Sequence, residues 1–288
     1  MAATLIDGVA IARELYAGFR ARVQALAARG VQPGLAAIVV GDNPASEVYV
    51  RTKTRACAEV GVHSVQHRFG GNSSEDEVIE LIGRLNADPV IHGILVQLPL
   101  PTRLDSERIL QAVAAHKDVD GFNWCNLGAM VAGHPRFSPC TPLGVMTMLD
   151  HEKIGVEGRT AVVIGRSVIV GKPMALMLIA RGATVTVCNS KTRELQEFTS
   201  RADIVVAAAG KPGLVNGSML KPGAVVIDVG INRQPDGKLV GDADFASASL
   251  VASRITPVPG GVGRMTVAML ISNTVTAAER HAAQSPGG

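Results

Sequence analysis

Aromatic side chains are scarce in this chain, and so are long uninterrupted runs of apolar residues. Phenylalanine, tyrosine and tryptophan make up 3% of the 288 residues although 47% are hydrophobic, so alanine, valine, leucine and isoleucine must build most of the core. No apolar run approaches the roughly 18 residues that a membrane span requires. The N-terminal segment, MAATLIDGVA, lacks the basic and apolar regions of a signal peptide. We therefore expect no membrane as a partner.

Blocks of one charge and paired cysteines are also missing. The formal net charge of +3 is spread along the chain without a dense basic block, which argues against nucleic acid as a partner. The four cysteines are scattered and form no CxxC pair, so we expect neither a disulfide framework nor a zinc site. His63 and His67 fall in a predicted strand, where surface histidines are the ordinary case. We predict a metal-free protein in a reducing cytoplasm.

Short apolar segments bounded by glycine are abundant, and they alternate with amphipathic segments. The first series predicts a helix over 8–29, a strand over 35–41, a helix over 45–60, a strand over 62–68, a helix between Ser74 and Asp88, and a strand over 90–101. The second series predicts strands over 160–165, 183–188, 203–210, 224–230 and 255–261, which is typical of a Rossmann-like sheet. This alternation predicts an α/β fold with parallel sheets.

Domain boundaries follow from the stretch that breaks this rhythm. Residues 117–140 are rich in turns, and we interpret them as irregular structure at the crossing between two units. The sequence thus predicts one αβ domain over 1–139 and a Rossmann-like domain over 140–263. A final helix within 264–288 is expected to pack back on the first domain.

The stretch ASEVYVRTKTRAC, residues 45–57, predicts a helix with a lysine on its apolar face. At about 100° per residue, one stripe collects Ser46, Tyr49, Lys53, Cys57 and Val60. Arg51 and Arg55 fall on the opposite side. Partial burial of a lysine favours its neutral amine, the form that accepts a proton. The ordinary alternative is a lysine that extends its charged end to solvent.

Two further polar residues occupy places where αβ sheets bind ligands. Gln97 comes just beyond a predicted buried strand, and Asp120 lies in a turn near the crossing between units. Gln97 could instead cap a loop, and Asp120–Gly121 is a common turn pair. Beside a nucleotide-binding fold, Lys53, Gln97 and Asp120 together indicate a substrate site.

The stretch VVIGRSVIVGKPMA, residues 162–175, predicts a strand, a glycine turn and the start of a helix. It departs from the G-x-G-x-x-G spacing, because Ser167 and Val170 stand where the second and third glycines are expected. Its context still favours a dinucleotide, since Pro173 suits a first helical turn and backbone N–H groups there would face a pyrophosphate. An αβ turn without a ligand is the alternative.

The second strand of this unit indicates which dinucleotide is bound. NAD enzymes usually carry an acidic residue about 20 residues after the glycine turn, where it binds the ribose 2′-hydroxyl. This strand is followed by Asn189, Ser190 and Lys191, without a carboxylate. Together with Arg166 in the turn, these residues favour a 2′-phosphate, and hence NADP over NAD.

The whole chain resembles the FolD family of bifunctional methylenetetrahydrofolate dehydrogenases and methenyltetrahydrofolate cyclohydrolases. The matching stretches are GDNPASEVYVRTK, GILVQLPLP, KDVDGFN, CTPLGV, GRSVIVGKP, AAAGKPG, VVIDVGIN and TPVPGGVGRMTVAML. The resemblance implies two αβ domains flanking a cleft, with NADP on the C-terminal domain and folate in the cleft. It further implies a cytoplasmic homodimer that serves one-carbon metabolism, including purine biosynthesis.

The resemblance also assigns roles to individual residues. It implies that Lys53 performs acid–base chemistry on the folate, Tyr49 lies against the folate, Gln97 orients Lys53, and Asp120 holds the pterin ring. It implies further substrate contacts at Val96, Leu98, Pro259, Gly260 and Gly261. It implies NADP contacts at Gly165, Arg166, Ser167, Ser190 and Lys191, and at Ile231 near the nicotinamide.

Two positions depart from the family pattern. Arg264 stands where the family motif PGGVGPMT has its second proline, and Trp124 takes the proline position of the motif DGFHP. Two rival functions are a dehydrogenase of another small substrate, such as a hydroxy acid, and a non-catalytic NADPH-binding protein. The joint presence of Tyr49, Lys53, Gln97 and Asp120 argues against both.

Overall fold

A computed structural model of the protein describes residues 2–284, and the chain divides into two compact units. The first unit comprises residues 14–140 and 267–284, and the second comprises residues 2–13 and 141–266. Residues 2–13, which the sequence analysis placed with the first domain, group with the second unit because their short strand pairs there.

The described residues form both strands and helices. The strands are β1 (Thr4–Leu5), β2 (Gly34–Val40), β3 (His63–Phe69), β4 (Gly93–Val96), β5 (Thr160–Ile164), β6 (Thr184–Cys188), β7 (Ile204–Ala207), β8 (Val225–Asp228), β9 (Asn232–Arg233), β10 (Leu239–Val240) and β11 (Arg254–Ile255). The helices are α1 (Gly8–Ala27), α2 (Pro44–Val60), α3 (Glu75–Ala87), α4 (Ser106–Ala112), α5 (Trp124–Val131), α6 (Cys140–His151), α7 (Gly171–Ala180), α8 (Leu195–Thr199), α9 (Phe245–Ala248) and α10 (Val262–Gln284).

The first unit is built on a three-stranded parallel sheet in the order β3-β2-β4. All seven residues of β2 are buried, as its continuous apolar sequence predicted, because parallel strands of this kind are covered on both faces. Ile38 of β2 and Ile94 of β4 pack in one core with Ile82 of α3. A capping box of Ser74 and Glu77 starts α3, with each side chain bonded to the backbone of the other residue.

The second unit contains a six-stranded parallel sheet in the order β1-β11-β8-β7-β5-β6, which confirms the predicted Rossmann-like architecture. The chain leaves β5 for β6 on one side and returns to β7 on the other. The carboxyl ends of β5 and β7 therefore form a topological switch point, where open α/β sheets bind ligands. The last predicted strand, 255–261, was too long, since Pro257 and Pro259 cannot donate ladder hydrogen bonds and β11 ends at Ile255.

The stretch 117–140 is more regular than the sequence indicated. It contains α5, which begins after Asn123 because the Asn123 Oδ1 accepts a 2.8 Å hydrogen bond from the backbone N–H of Cys125. The interpretation of this whole stretch as irregular was wrong, because α5 is short and its capping asparagine was not recognised.

Residues 2–284 contain neither a membrane-spanning helix nor a metal-binding cluster. No helix there combines the length and apolarity needed to cross a bilayer. Nor do these residues contain a group of three His, Cys, Asp or Glu side chains that could hold a metal ion.

Candidate active site

Helix α2 carries the predicted stripe on its inner face. Cys57 and Val60 are buried, whereas Tyr49 and Lys53 are half-buried. Arg51 and Arg55 are exposed on the other side of the helix. The helical period alone therefore places the lysine where it meets the end of the sheet.

Lys53 meets Gln97 at the carboxyl end of β4. Its Nζ donates a hydrogen bond to the Gln97 Oε1 at 3.0 Å. The Gln97 amide is fixed in turn, because its Nε2 donates to the carbonyl of Leu98 at 2.7 Å and its backbone N–H donates to the carbonyl of Ile38 at 2.8 Å. Gln97 and the preceding Val96 are buried, and Leu98 is half-buried. The lysine is thus held by a residue that the sheet itself positions.

Asp120 lies in the turn that follows an isolated parallel bridge between Ile94 and Asp118. Burial raises the pKa of Asp120 to about 6, the positive charge of Lys53 opposes this rise, and the charge of Asp118 adds to it. The carboxyl group therefore changes its charge close to neutral pH. The structure brings Lys53, Gln97 and Asp120 into one cluster of the first unit.

The Asp120 turn is held by Asp118, a residue that sequence reasoning missed. The Asp118 carboxylate accepts hydrogen bonds from the backbone N–H groups of Gly121 at 3.0 Å and Asn123 at 2.7 Å, and from the Asn126 Nδ2 at 2.8 Å. Burial raises the pKa of Asp118, and these hydrogen bonds oppose the rise. Gly121 has a φ of 75°, and a Cβ there would lie 2.7 Å from the backbone N of Pro139, so only glycine fits.

Cys140 and Asn273 support the same turn from elements distant in sequence. The Cys140 Sγ donates to the carbonyl of Val119 at 3.2 Å, and the Asn273 Nδ2 donates to the same carbonyl at 2.8 Å. Cys140 is buried beside Asp120, and burial raises the pKa of its thiol. Neither residue stands in a local pattern that the sequence analysis could use, although an asparagine inside the apolar helix α10 is an unusual feature.

The turn after β5 requires both of its glycines. Gly165 has a φ of 130°, and a Cβ there would lie 2.2 Å from the carbonyl oxygen of Ala208. A Cβ at Gly171 would lie 2.2 Å from the carbonyl oxygen of Gly165. Helix α7 begins at Gly171, and its first N–H groups are bonded within the turn, from Gly171 to the Ser167 Oγ at 3.4 Å and from Lys172 to the Ser167 carbonyl at 3.0 Å. Ser167 bonds within this turn, where its Oγ accepts from the Val170 N–H at 3.2 Å.

The ends of β5 and β6 lie side by side. Ile164 pairs with Cys188, and the N–H of Gly165 donates to the Cys188 carbonyl at 2.8 Å. Arg166 follows one strand, and Ser190 and Lys191 follow the other. All three side chains are exposed. The pairing of β5 with β6 therefore brings the predicted 2′-phosphate residues together at the carboxyl ends of these two strands.

Two buried aspartates, also missed from the sequence, connect the loops after β7 and β8. The Asp242 Oδ2 accepts from the N–H groups of Ala209 at 2.6 Å and Gly210 at 2.8 Å. Asp228 accepts from the N–H groups of Asp242 at 2.9 Å and Ala243 at 2.8 Å. Burial raises the pKa of Asp228 to about 6, and these backbone hydrogen bonds oppose the rise. The pair fixes the loop beside the switch point.

The remaining predicted contacts belong to the second unit. Ile231 is 43% exposed and follows β8. Pro259 is exposed, Gly260 is half-buried with a φ of 109°, and Gly261 is buried, all in the turn that leads into α10. The predicted substrate residues are therefore distributed over both units.

Comparison with known proteins identifies the family. Two family models match the chain: "Tetrahydrofolate dehydrogenase/cyclohydrolase, catalytic domain" over residues 6–120, and "Tetrahydrofolate dehydrogenase/cyclohydrolase, NAD(P)-binding domain" over residues 139–282. The chain belongs to the tetrahydrofolate dehydrogenase/cyclohydrolase family.

Members of this family resemble the chain over nearly its full length. The bifunctional protein FolD of Dechloromonas aromatica (strain RCB) is 61% identical over 282 residues, which cover 98% of this chain and 99% of the relative. The crystal structure of the bifunctional enzyme FolD from Campylobacter jejuni has a TM-score of 0.95 at 48% identity and covers 97% of this chain and 99% of its own. The Trypanosoma brucei enzyme, complexed with NADP cofactor and inhibitor, has a TM-score of 0.93 at 38% identity, with 97% and 98% covered.

Proposed function

We propose that this chain oxidises 5,10-methylenetetrahydrofolate with NADP and then hydrolyses the 5,10-methenyl product to 10-formyltetrahydrofolate. The observation that carries the proposal is the hydrogen bond between Lys53 and Gln97, with Asp120 close enough to be affected by the lysine charge. An acid–base lysine, an amide that orients it and a carboxyl group that titrates near neutrality are the groups that this chemistry requires. The 10-formyl product places the enzyme in one-carbon metabolism, including purine biosynthesis.

The residues of the second unit fit NADP. Gly165 and Gly171 let the backbone approach a pyrophosphate at the start of α7. Arg166, Ser190 and Lys191 would hold the 2′-phosphate, with charge-assisted hydrogen bonds from the two cations. Ser167 would contribute to the phosphate turn, and Ile231 would lie near the nicotinamide. NADP, when bound, supplies the acceptor for the hydride that leaves the methylene carbon of the folate.

In the first step, the protein's contribution is alignment. Asp120 would accept a hydrogen bond from the pterin ring, and Tyr49 would lie against the folate. Further substrate contacts are proposed at Val96, Leu98, Pro259, Gly260 and Gly261. With the folate fixed, the methylene carbon is presented in one orientation for hydride transfer, and no protein group needs to be alkylated or reduced.

In the second step, Lys53 manages protons while water adds to the methenyl carbon. The water oxygen forms a bond to this carbon and releases a proton to the Lys53 amine. The bond between the carbon and one folate nitrogen then breaks, and the nitrogen takes up a proton as the formyl group forms. Gln97 keeps the lysine directed at this carbon, because its own amide is tied to the Leu98 carbonyl.

The two domains have different roles in the proposed reaction. We assign folate binding and catalysis to residues 1–139, with the helix within 264–288 packing back on them, and NADP binding to residues 140–263. The catalytic-domain model, over residues 6–120, supports the first assignment, and the NAD(P)-binding model, over residues 139–282, supports the second and extends into the final helix. A homodimer in the cytoplasm is proposed from the family resemblance, and the four free cysteines suit a reducing compartment.

Feeding the two substrates separately tests the proposal. With 5,10-methylenetetrahydrofolate, the purified enzyme should reduce NADP, and the ultraviolet absorbance of the reduced cofactor measures this reaction. With 5,10-methenyltetrahydrofolate alone, it should accelerate loss of the methenyl absorbance without any cofactor. Failure of the first reaction would contradict the dehydrogenase assignment, and failure of the second would contradict the cyclohydrolase assignment.

A further inference from the structure

A cavity lies in the first unit, at the end of β4 opposite to Gln97. Its volume is about 210 Å³, and its lining includes Asn86, His92, His116, Lys117 and His281. His92 immediately precedes β4, whereas Gln97 follows it, so the strand separates this cavity from the Lys53 cluster. Among the described residues that line the cavity there is no Asp or Glu side chain.

His92 lines this cavity and carries a buried donor. The backbone N–H of Gly34 donates to the His92 Nδ1 at 3.1 Å, so Nδ1 is the acceptor and the neutral ring carries its proton on Nε2. The residue is only 6% exposed, and Nε2 has no hydrogen-bond partner among residues 2–284. Burial lowers the pKa of His92 to about 4, so the ring is neutral under physiological conditions. A buried N–H without an acceptor is costly, and a ligand that supplies one removes the cost.

Lys117 adds a second donor. Its side chain is buried, and Nζ donates to the carbonyls of Leu85 at 2.9 Å and Asp88 at 2.6 Å, which uses two of its three N–H bonds. Asn86 is hydrogen-bonded at both atoms of its side-chain amide. Its Nδ2 donates to the Ala112 carbonyl at 2.8 Å, and its Oδ1 accepts from the Ala114 N–H at 3.0 Å. Lys117 therefore has one further N–H to donate, as His92 has at Nε2, and Asn86 has one further N–H and one lone pair on Oδ1.

The charged groups around the cavity also favour a bound anion. Burial lowers the pKa of His116, and the charges of Lys117, Arg136 and His281 lower it further. Burial also lowers the pKa of Lys117, which only the Asp88 carboxylate opposes. Several basic groups thus disfavour each other's protonated forms around one cavity, and a bound anion would relieve this repulsion.

We propose that this cavity binds a small oxyanion, a phosphate or a carboxylate, which accepts hydrogen bonds from the His92 Nε2–H and the Lys117 Nζ. His116 and His281 form the basic rim that admits it. The competing occupant is water, which would satisfy the His92 donor without any preference for charge. The site is independent of the folate and NADP sites, since none of its donors belongs to them.

Inorganic phosphate and acetate are the probes for this site. Each is titrated into the full-length enzyme, saturated with NADP to occupy the cofactor phosphate sites, while histidine ring resonances are followed by NMR. Sodium chloride at matched ionic strength controls for screening. We expect a saturable shift of the His92 Nε2–H resonance with phosphate, acetate or both, and the two titrations distinguish a phosphate from a carboxylate ligand.

Variants connect the shift to the cavity. Removing the rim histidine with His116→Ala and the lysine donor with Lys117→Gln should weaken anion binding by about tenfold or more, the effect of losing a charge-assisted hydrogen bond. Glutamine at position 117 keeps an amide donor for the Leu85 carbonyl, which protects the fold. His134→Ala, an exposed histidine of the same unit, should leave binding unchanged. The absence of a saturable shift, a response that chloride reproduces, or equal binding by the double variant would overturn the proposal.

Discussion

The Nζ of Lys53 donates a 3.0 Å hydrogen bond to the Oε1 of Gln97, which joins helix α2 to the end of strand β4. Gln97 is the better fixed partner, because both its backbone and its side-chain amide are bonded to the sheet and its following turn. The lysine thus has a defined direction before any substrate binds. A proton-transferring group gains most from this kind of preorganisation.

Gln97→Ala should therefore slow the cyclohydrolase more than the dehydrogenase. Losing the hydrogen bond that directs Lys53 costs roughly 0.5–1.5 kcal/mol, so methenyl hydrolysis should fall by about two- to tenfold. NADP binding should be unchanged. The exposed Gln24→Ala is the matched control. Equal losses in both activities would show that Gln97 supports the fold rather than the lysine.

Asp120→Ala should weaken folate binding by roughly 1.5–3 kcal/mol, the contribution of a charge-assisted hydrogen bond to the pterin. Calorimetric titration with a folate analogue measures this loss. An unchanged affinity would show that Asp120 is only a turn residue.

The pKa of Asp120, raised to about 6, adds a pH dependence to the same measurement. If the carboxylate is the form that binds the pterin, affinity is full well above pH 6 and declines as the pH falls through that value. The Asp120→Ala variant should lack this decline. An affinity that is independent of pH between 5 and 8 in the unmutated enzyme would exclude the charged carboxylate as the binding form.

Arg166→Ala combined with Lys191→Ala should reduce the preference for NADP by weakening NADP more than NAD. One charge-assisted bond to the 2′-phosphate, at roughly 1.5–3 kcal/mol, favours NADP by about tenfold or more. The ratio of kcat/KM for the two cofactors reports the change. Arg201→Ala is the control. Arg201 precedes β7 and so lies at the amino ends of the strands, whereas Arg166 and Lys191 follow the carboxyl ends of β5 and β6. Comparable kcat/KM values for NADP and NAD in the unmutated enzyme would refute this account, as would a preference that survives the double substitution.

Gly165→Ala should abolish NADP binding and destabilise the second unit. A methyl group there would lie 2.2 Å from the Ala208 carbonyl oxygen, and the φ of 130° is unfavourable for any residue with a Cβ. Gly18→Ala on α1 is the contrasting substitution, since no atom lies within 4 Å of its added methyl, and it should stabilise by up to about 1 kcal/mol. Thermal unfolding and NADP titration of both variants test the pair.

Features that depend on residues close together in the sequence were predicted from sequence patterns. The helical period placed Lys53 inward, and the apolar run before Gly165 placed the phosphate turn at the end of β5. Residues that act through long-range contacts escaped prediction. Asn273 bonds the Val119 carbonyl across more than 150 residues of chain, and Asp242 bonds the loop after β7 from beyond β8. Single polar residues in such places carry no periodicity, so only the folded structure reveals their partners.

The most direct test of the whole account measures both half-reactions in Lys53→Met. Methionine keeps the length and apolar contacts of the side chain but cannot transfer a proton, and Arg55→Met on the exposed face of α2 is the matched control. The account predicts that Lys53→Met loses methenyltetrahydrofolate hydrolysis while it keeps its fold and its affinity for NADP, and that Arg55→Met retains both activities. Normal hydrolysis of methenyltetrahydrofolate by Lys53→Met would contradict it.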